Sequence, residues 1–150
     1  MADELSDAFL DTLRERVHEE NPEAVIFGEV WENASNKIAY GKRRRYFGGK
    51  QLDSVMNYPL RKAGISYIRD GNTEEVRHCT DTIYRQYPKD VSDVLMNFLG
   101  THDTARILTE LGGQSGDGLS YADKSAIRMT DDERSLAVKR LKIAYALIAA

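Results

Sequence analysis

The sequence predicts an α/β fold with parallel strands, and two observations carry that expectation. Ala24-Val25-Ile26-Phe27 is a short apolar run without alternation, the pattern of a strand buried on both faces between helices. Further strand-like runs at residues 51–57 and 94–99 are separated from it by segments of helical period. Strands that alternate with helices pair in parallel, which defines the α/β class.

The chain opens on a helix from about Glu4 to Glu20, where Leu5, Phe9, Leu13 and Val17 recur every four residues and Leu10 widens the stripe. Asn21-Pro22 stops it. The first strand then runs into Gly28-Glu29-Val30-Trp31. Residues 32–50 carry Gly41, Gly48, Gly49 and the basic run Lys42-Arg43-Arg44-Arg45, and read as a long loop. A second strand over residues 51–57 is closed by Pro59. Leu60, Ala63, Gly64, Tyr67 and Ile68 then give a short helix ended by Asp70-Gly71. Asn72 with Glu75 has the spacing of a capping box and opens a helix with the stripe Val76, Thr80, Ile83, Tyr84 and Tyr87, stopped by Pro88.

Val94–Leu99 is the third strand and leads into Gly100-Thr101-His102-Asp103. Ile107, Leu108 and Leu111 predict a further helical turn or two, and residues 112–118 a polar, glycine-rich loop. Thr130 and Glu133 frame the last helix, with Leu136, Ala137, Leu141, Ala144, Tyr145 and Ile148 on one face. That helix ends in an apolar stretch with no glycine cap and no basic last turn. Three strands are also few for a covered parallel sheet. We therefore expect a piece of a longer chain, residues 1–150 forming a single fragment of one domain.

Composition excludes several classes. Charged residues make up 30% and the hydrophobic set 41%, which argues against disorder. The net charge of -3 argues against bulk electrostatic capture of nucleic acid or anionic lipid. No apolar run approaches the roughly 20 residues of a membrane span, and the acidic start Met1-Ala2-Asp3-Glu4-Leu5 is unlike a signal peptide. The lone Cys79 fits a reducing compartment, so a cytoplasmic location is expected.

In parallel α/β folds functional groups sit at the carboxyl ends of strands. Two such ends carry acids: Glu29 after the first strand, and Asp103, preceded by His102, after the third. Converging carboxylates suit glycosidic-bond cleavage, in which one protonates the leaving oxygen and others attack or stabilise the oxocarbenium-like transition state. Trp31 could offer a flat face to a sugar ring. On spacing alone, helix caps or solvated loop charges explain both acids equally well.

The residues themselves are more specific. Phe27-Gly28-Glu29-Val30-Trp31, Met56-Asn57-Tyr58-Pro59 and Phe98-Leu99-Gly100-Thr101-His102-Asp103, in this order, resemble the α-amylase family, glycoside hydrolase family 13. Within it the Met56–Pro59 element looks most like neopullulanases, cyclomaltodextrinases and maltogenic amylases. The resemblance implies that Glu29 is the general acid/base. Asp103 would hold sugar hydroxyls and stabilise the transition state, with His102 on the same sugar and Trp31 beside the substrate. It implies a partial TIM (β/α)8 barrel, roughly strands five to seven with helices four to seven. The family's nucleophilic aspartate lies two residues before the alanine that matches Ala2, so it would fall just before Met1, and Asp3 is not that residue. The chain alone is then expected to be inactive.

The remaining features read as structural. The basic run 42–45 is expected to be a solvated loop face. The 112–118 loop follows a helix and lacks a lysine, unlike a phosphate cradle. His18 and His78 lack paired ligands nearby in sequence, so no metal is expected, and no cofactor in this segment. Cys79 is expected to be a packed thiol. The partner implied is an α-glucan oligosaccharide, with homo-oligomers formed through exposed barrel edges. A glucan transferase of the same clan and a non-catalytic carbohydrate-binding or interaction module are the alternatives.

Overall fold

The computed structural model describes residues 2–49, 51–114, 116 and 118–149. The elements are α1 (Asp7–Glu20), β1 (Phe27–Gly28), β2 (Ile38–Ala39), β3 (Lys42–Arg43), β4 (Ser54–Val55), α2 (Tyr58–Asp70), α3 (Thr73–Gln86), α4 (Lys89–Ser92), α5 (Ile107–Leu111), α6 (Tyr121–Ala126) and α7 (Asp131–Ala149). Single 3-10 turns at Ala2–Glu4 and Ala34–Asn36 complete them. The chain forms two compact units, one of Met1–Leu60 with Arg77–Asn97 and one of Arg61–Val76 with Phe98–Ala150.

The first unit is organised by parallel pairing. Phe27 is in register with Ser54 and Gly28 with Val55, and Met56 bridges in parallel to Met96. The main-chain bonds follow: Met56 N donates to Gly28 O at 3.0 Å, Met96 N to Val55 O at 3.2 Å and Asn57 N to Met96 O at 2.9 Å. The expected parallel order is therefore present, but the strands are far shorter than their apolar runs. Residues 24–26 are not paired as strand; Asp53 takes both main-chain groups of Ile26, its Oδ2 accepting from Ile26 N and its own N donating to Ile26 O. In the 94–99 run Met96 makes the parallel bridge, while Val94 N and Leu95 N still turn back onto α4.

The expectation that the first strand is buried on both faces is also corrected. Gly28 and Val30 are buried, whereas Val25 is 57% and Phe27 43% exposed, with Met96 at 43% on the bridged segment. Alternation along an extended chain separates these sets, so one face packs and the other is open. The packed face joins a core of Leu10, Val30, Tyr46, Leu52, Val55, Tyr87 and Val91.

Helix α1 starts later than expected because Ser6 Oγ accepts from Phe9 N at 3.1 Å and caps it. Leu10 is its buried anchor and Leu13 packs against the same core as expected, whereas Phe9 and Leu5 of the every-fourth stripe lie outside. In α3 Val76 and Ile83 are half-buried as expected, but Thr80 and Tyr84 are exposed and Cys79 is buried instead; Tyr87, just past the helix, is buried as expected. The 32–50 segment is not an unstructured loop. Antiparallel β2 and β3 form a two-residue hairpin turned at Tyr40 (φ 53°) and Gly41 (φ 72°).

The hairpin delivers Arg44 inward. Its guanidinium is buried and donates to Asp3 O at 3.0 Å and Leu5 O at 2.5 Å, so the basic run is not a uniformly solvated face. Asp3 is buried as well, accepting from Tyr46 Oη at 2.5 Å and pairing with Lys37 Nζ at 3.2 Å. Burial, then the bond to Asp3, pushes the Tyr46 phenol well above its ordinary range. This cluster ties the chain start to the hairpin.

In the second unit α7 packs Ala137 and Ala144 against Ile65, Leu99 and Leu111. Leu136 and Tyr145, expected on that face, are exposed. The capping box at α7 is complete: Thr130 Oγ1 accepts from Glu133 N at 3.2 Å and Glu133 Oε2 from Thr130 N at 2.7 Å. The main-chain bond from Thr130 holds the Glu133 carboxyl below the usual range. Gly71 (φ 73°) ends α2 as expected, its N–H returning to Tyr67 O at 2.8 Å. Helix α6 arises within a stretch for which no element was expected, capped by Ser120. Ser115 and Asp117 of the glycine-rich loop lie outside the described residues.

Gly28 is required by a close approach. A Cβ there would lie 2.3 Å from Leu52 Cδ1, and Leu52 is itself packed in the core. Gly28→Ala should therefore destabilise the chain by about 1–3 kcal/mol. Urea or thermal denaturation reads this directly, and an unchanged midpoint would mean that Leu52 moves aside freely.

Candidate active site

Glu29 directly follows β1, at the carboxyl end of the parallel ladder, and is half-buried. Continuing the alternation of Val25 and Phe27 places it toward the open face of the sheet. Its backbone carbonyl accepts from Ala2 N at 2.9 Å, so the start of the described chain runs beside this strand end. Its carboxylate Oε1 accepts a hydrogen bond from Tyr58 Oη at 3.0 Å.

Tyr58 stands at the equivalent end of the neighbouring strand, two residues after Met56, and its ring is buried. Trp31 stacks on that ring with centroids 4.1 Å apart and planes 20° from parallel, keeping part of its own surface exposed. Glu29 and Trp31, singled out in the sequence, are thus brought together by a residue between them. Asn57 precedes α2 and accepts from Leu60 N at 3.2 Å, capping the helix, while its Nδ2 donates to Asn97 Oδ1 at 2.9 Å.

His102 and Asp103 belong to the second unit and are exposed. They sit in a tight turn in which Thr101 N donates to Thr104 Oγ1 at 2.8 Å and Asp103 N to Thr101 Oγ1 at 3.3 Å. His102 Nε2 lies 3.2 Å from Asp103 Oδ2. The turn opens onto a cavity of about 780 Å³ bordered by Asp103, Arg106, Tyr121, Lys124 and Arg128. That volume falls within the range of small-molecule clefts. In the same unit Arg61 donates to Leu99 O at 2.9 Å and pairs with Glu110, which anchors the main chain leading into the turn.

The matched family model is "Alpha amylase, catalytic domain", over residues 4–131. The chain belongs to this family. A cyclomaltodextrinase from Bacillus sp is 34% identical over 115 residues, which is 75% of this chain and 19% of the relative. Neopullulanase 2 of Thermoactinomyces vulgaris is 35% identical over 115 residues, 75% of this chain and 18% of that protein. Amylopullulanase of Thermoanaerobacter thermohydrosulfuricus is 32% identical across 98% of this chain and 10% of its own length. The chain therefore spans about a fifth or less of the relatives it matches.

A solved cyclomaltodextrinase superposes on 99% of this chain and 30% of its own with a TM-score of 0.65 at 24% identity. A cyclic α-maltosyl-(1→6)-maltose hydrolase from Arthrobacter globiformis does so over 97% and 37% with a TM-score of 0.63 at 19% identity. The family and this likeness make the fold a partial TIM barrel, although helices dominate the elements of this α-amylase-family chain.

Tyr58 lies within the Met56–Pro59 motif, where its sequence context alone assigns it no role. An aromatic hydroxyl at a strand's carboxyl end, beside an acid at the end of the preceding strand, is the signal that marks it. Asp3, set aside in the sequence, is spent on Tyr46 and Lys37. Among the described residues no group of three or more His, Cys, Asp and Glu could hold a metal, and no helix is long and apolar enough to cross a membrane.

Burial pushes the Cys79 thiol up to about 11. The thiolate needed for nucleophilic attack is therefore scarce near neutral pH. An aromatic disulfide reagent at mildly alkaline pH should label Cys79 in the denatured chain and barely at all in the folded one; rapid native labelling would contradict the packed-thiol assignment.

Proposed function

We propose that this segment supplies the acid/base half of the active site of a retaining α-glucan hydrolase. The observation that carries the reading is the placement of Glu29 at the end of the parallel ladder, beside the Tyr58–Trp31 pair, in an α-amylase-family chain. In this reading the Glu29 carboxylic acid gives its proton to the glycosidic oxygen as C1 is attacked by an aspartate, so that a glycosyl-enzyme forms. Glu29, now a carboxylate, takes a proton from the water that releases the sugar. Asp103 and His102 hold hydroxyls of the sugar being cleaved, and Trp31 offers its exposed face to a ring. The names of the relatives support cyclodextrins and pullulan as substrates, and the family resemblance adds short maltooligosaccharides. We place the protein in the cytoplasm, a setting with which the single free Cys79 accords.

The attacking aspartate belongs immediately before Met1, by resemblance to the family motif around Ala2. The Ala2 N–H···O=C bond to Glu29 supports this, since it runs that backbone past the acid. The 150-residue chain alone should not hydrolyse cyclodextrin or maltotriose. Turnover by the purified chain, lost on Glu29→Gln, would mean that a nucleophile is already present. In the full-length polypeptide that carries this segment, Glu29→Gln should lower kcat on maltotriose by about 10²–10⁴-fold. Asp103→Asn should cost about 10²-fold or more with the fold intact. A near-normal rate for either would remove the role given to that residue.

We also propose that the isolated chain self-associates. Val25, Phe27 and Met96 present apolar surface on the open sheet side of the first unit, and such a patch normally finds cover. Light scattering at micromolar concentration should give a dimer or larger species; a stable monomer with a cooperative melt would exclude this.

A further inference from the structure

We infer that Tyr58 is a positioning residue that holds the Glu29 carboxyl in line for proton transfer. The inference rests on the acid/base assignment of Glu29 and goes beyond it by naming what aims that group.

Three features carry it. The Tyr58 hydroxyl donates to Glu29 Oε1 at 3.0 Å, so the transferable proton belongs on Oε2. The hydroxyl itself has little freedom, because the ring is buried and stacked on Trp31. The backbone around it is also pinned: Tyr58 N donates to Met56 O at 3.0 Å and Asn57 N to Met96 O at 2.9 Å, and the Asn57 side chain caps α2. The Met56–Pro59 motif is thereby accounted for residue by residue. Met56 continues the sheet, Asn57 starts the helix, Tyr58 reaches back to the acid, and Pro59 occupies an early helical position where no N–H is needed.

The chemistry favours a neutral donor. Glu29 must be an acid when the C1–O bond breaks and a base when water attacks. An arginine or lysine would hold the carboxylate in its charged form, whereas a phenol can donate to Oε1 in both states without moving. Since the same ring supports Trp31, one side chain sets the acid and the sugar-facing aromatic in a common frame.

The test compares two substrates in the full-length polypeptide. Maltotriose needs its leaving oxygen protonated; α-maltosyl fluoride departs as fluoride ion, taking the bonding electrons without help from an acid. Tyr58→Phe keeps the ring and removes only the donor. It should lower kcat on maltotriose by about tenfold or more while leaving KM nearly unchanged. For the fluoride, kcat/KM, which reports the steps up to departure of fluoride and not the later attack of water, should stay within about twofold of wild type. The ratio of the two rates within one preparation does not depend on how much protein is folded, so partial misfolding cannot imitate the effect. Tyr58→Leu, which also loses the Trp31 stack, should add a rise in KM. Equal losses on both substrates, or none on either, in Tyr58→Phe would overturn the positioning role. Glu29→Gln is run beside it and should show the same selectivity more strongly. A Glu29→Gln enzyme that hydrolyses maltotriose normally would instead overturn the acid assignment on which the role of Tyr58 depends.

Discussion

The candidate site depends on three short stretches of chain meeting in parallel. Phe27–Gly28, Ser54–Met56 and Met96 exchange only a handful of main-chain hydrogen bonds. Parallel pairing brings the carboxyl ends of neighbouring strands to one rim. Glu29 and Tyr58 meet because each follows its own strand by one or two residues. A one-residue slip would turn Glu29 toward the packed face and Val30 toward solvent. The Gly28–Leu52 approach opposes that slip, since Gly28 is where the packed side leaves no room for a Cβ.

So few ladder bonds need support, and it comes from side chains that bond main-chain groups. Asp53 takes both backbone groups of Ile26, and Ser54 Oγ donates to Val91 O at 2.9 Å. Tyr87 Oη accepts from Ala34 N at 2.9 Å while its ring packs near Phe47. Arg44 plays the same part at the chain start, where its donors satisfy carbonyls of the Ala2–Leu5 turn. These are buried or half-buried polar groups whose partners would be costly to lose. The first unit is thus held by mixed polar and apolar packing more than by sheet.

The second unit follows different rules. Helix α7 presents alanines at its two most buried positions, which lets neighbouring elements approach closely, and Gly64 meets Leu147 at a distance that leaves no space for a side chain. The turn that carries His102 and Asp103 is organised by Thr101 and Thr104 and by the Arg61 contact to Leu99 O, not by strand pairing. Its exposed acid and the half-buried Glu29 are accordingly built by separate means.

The sequence by itself determined the class of fold, the parallel order of the segments around Phe27, Ser54 and Met96, and the helix boundaries at Asn21, Gly71 and Thr130; it also singled out Glu29, Trp31, His102 and Asp103 as candidates. Those features are written in local chemistry: periodicity, capping side chains, and an acid placed after an apolar run. The tertiary structure alone decided where within each apolar stripe the burial falls, so that Leu10 is covered and Phe9 exposed, and Ala137 covered and Leu136 exposed, because a stripe on one helix does not say where its neighbours lie. It decided that Arg44 turns inward while its basic neighbours stay exposed, since only the hairpin brings the Asp3 and Leu5 carbonyls within reach. It also decided that Tyr58 bonds Glu29: twenty-nine residues separate them in the chain, and only the register of two parallel strands makes them neighbours.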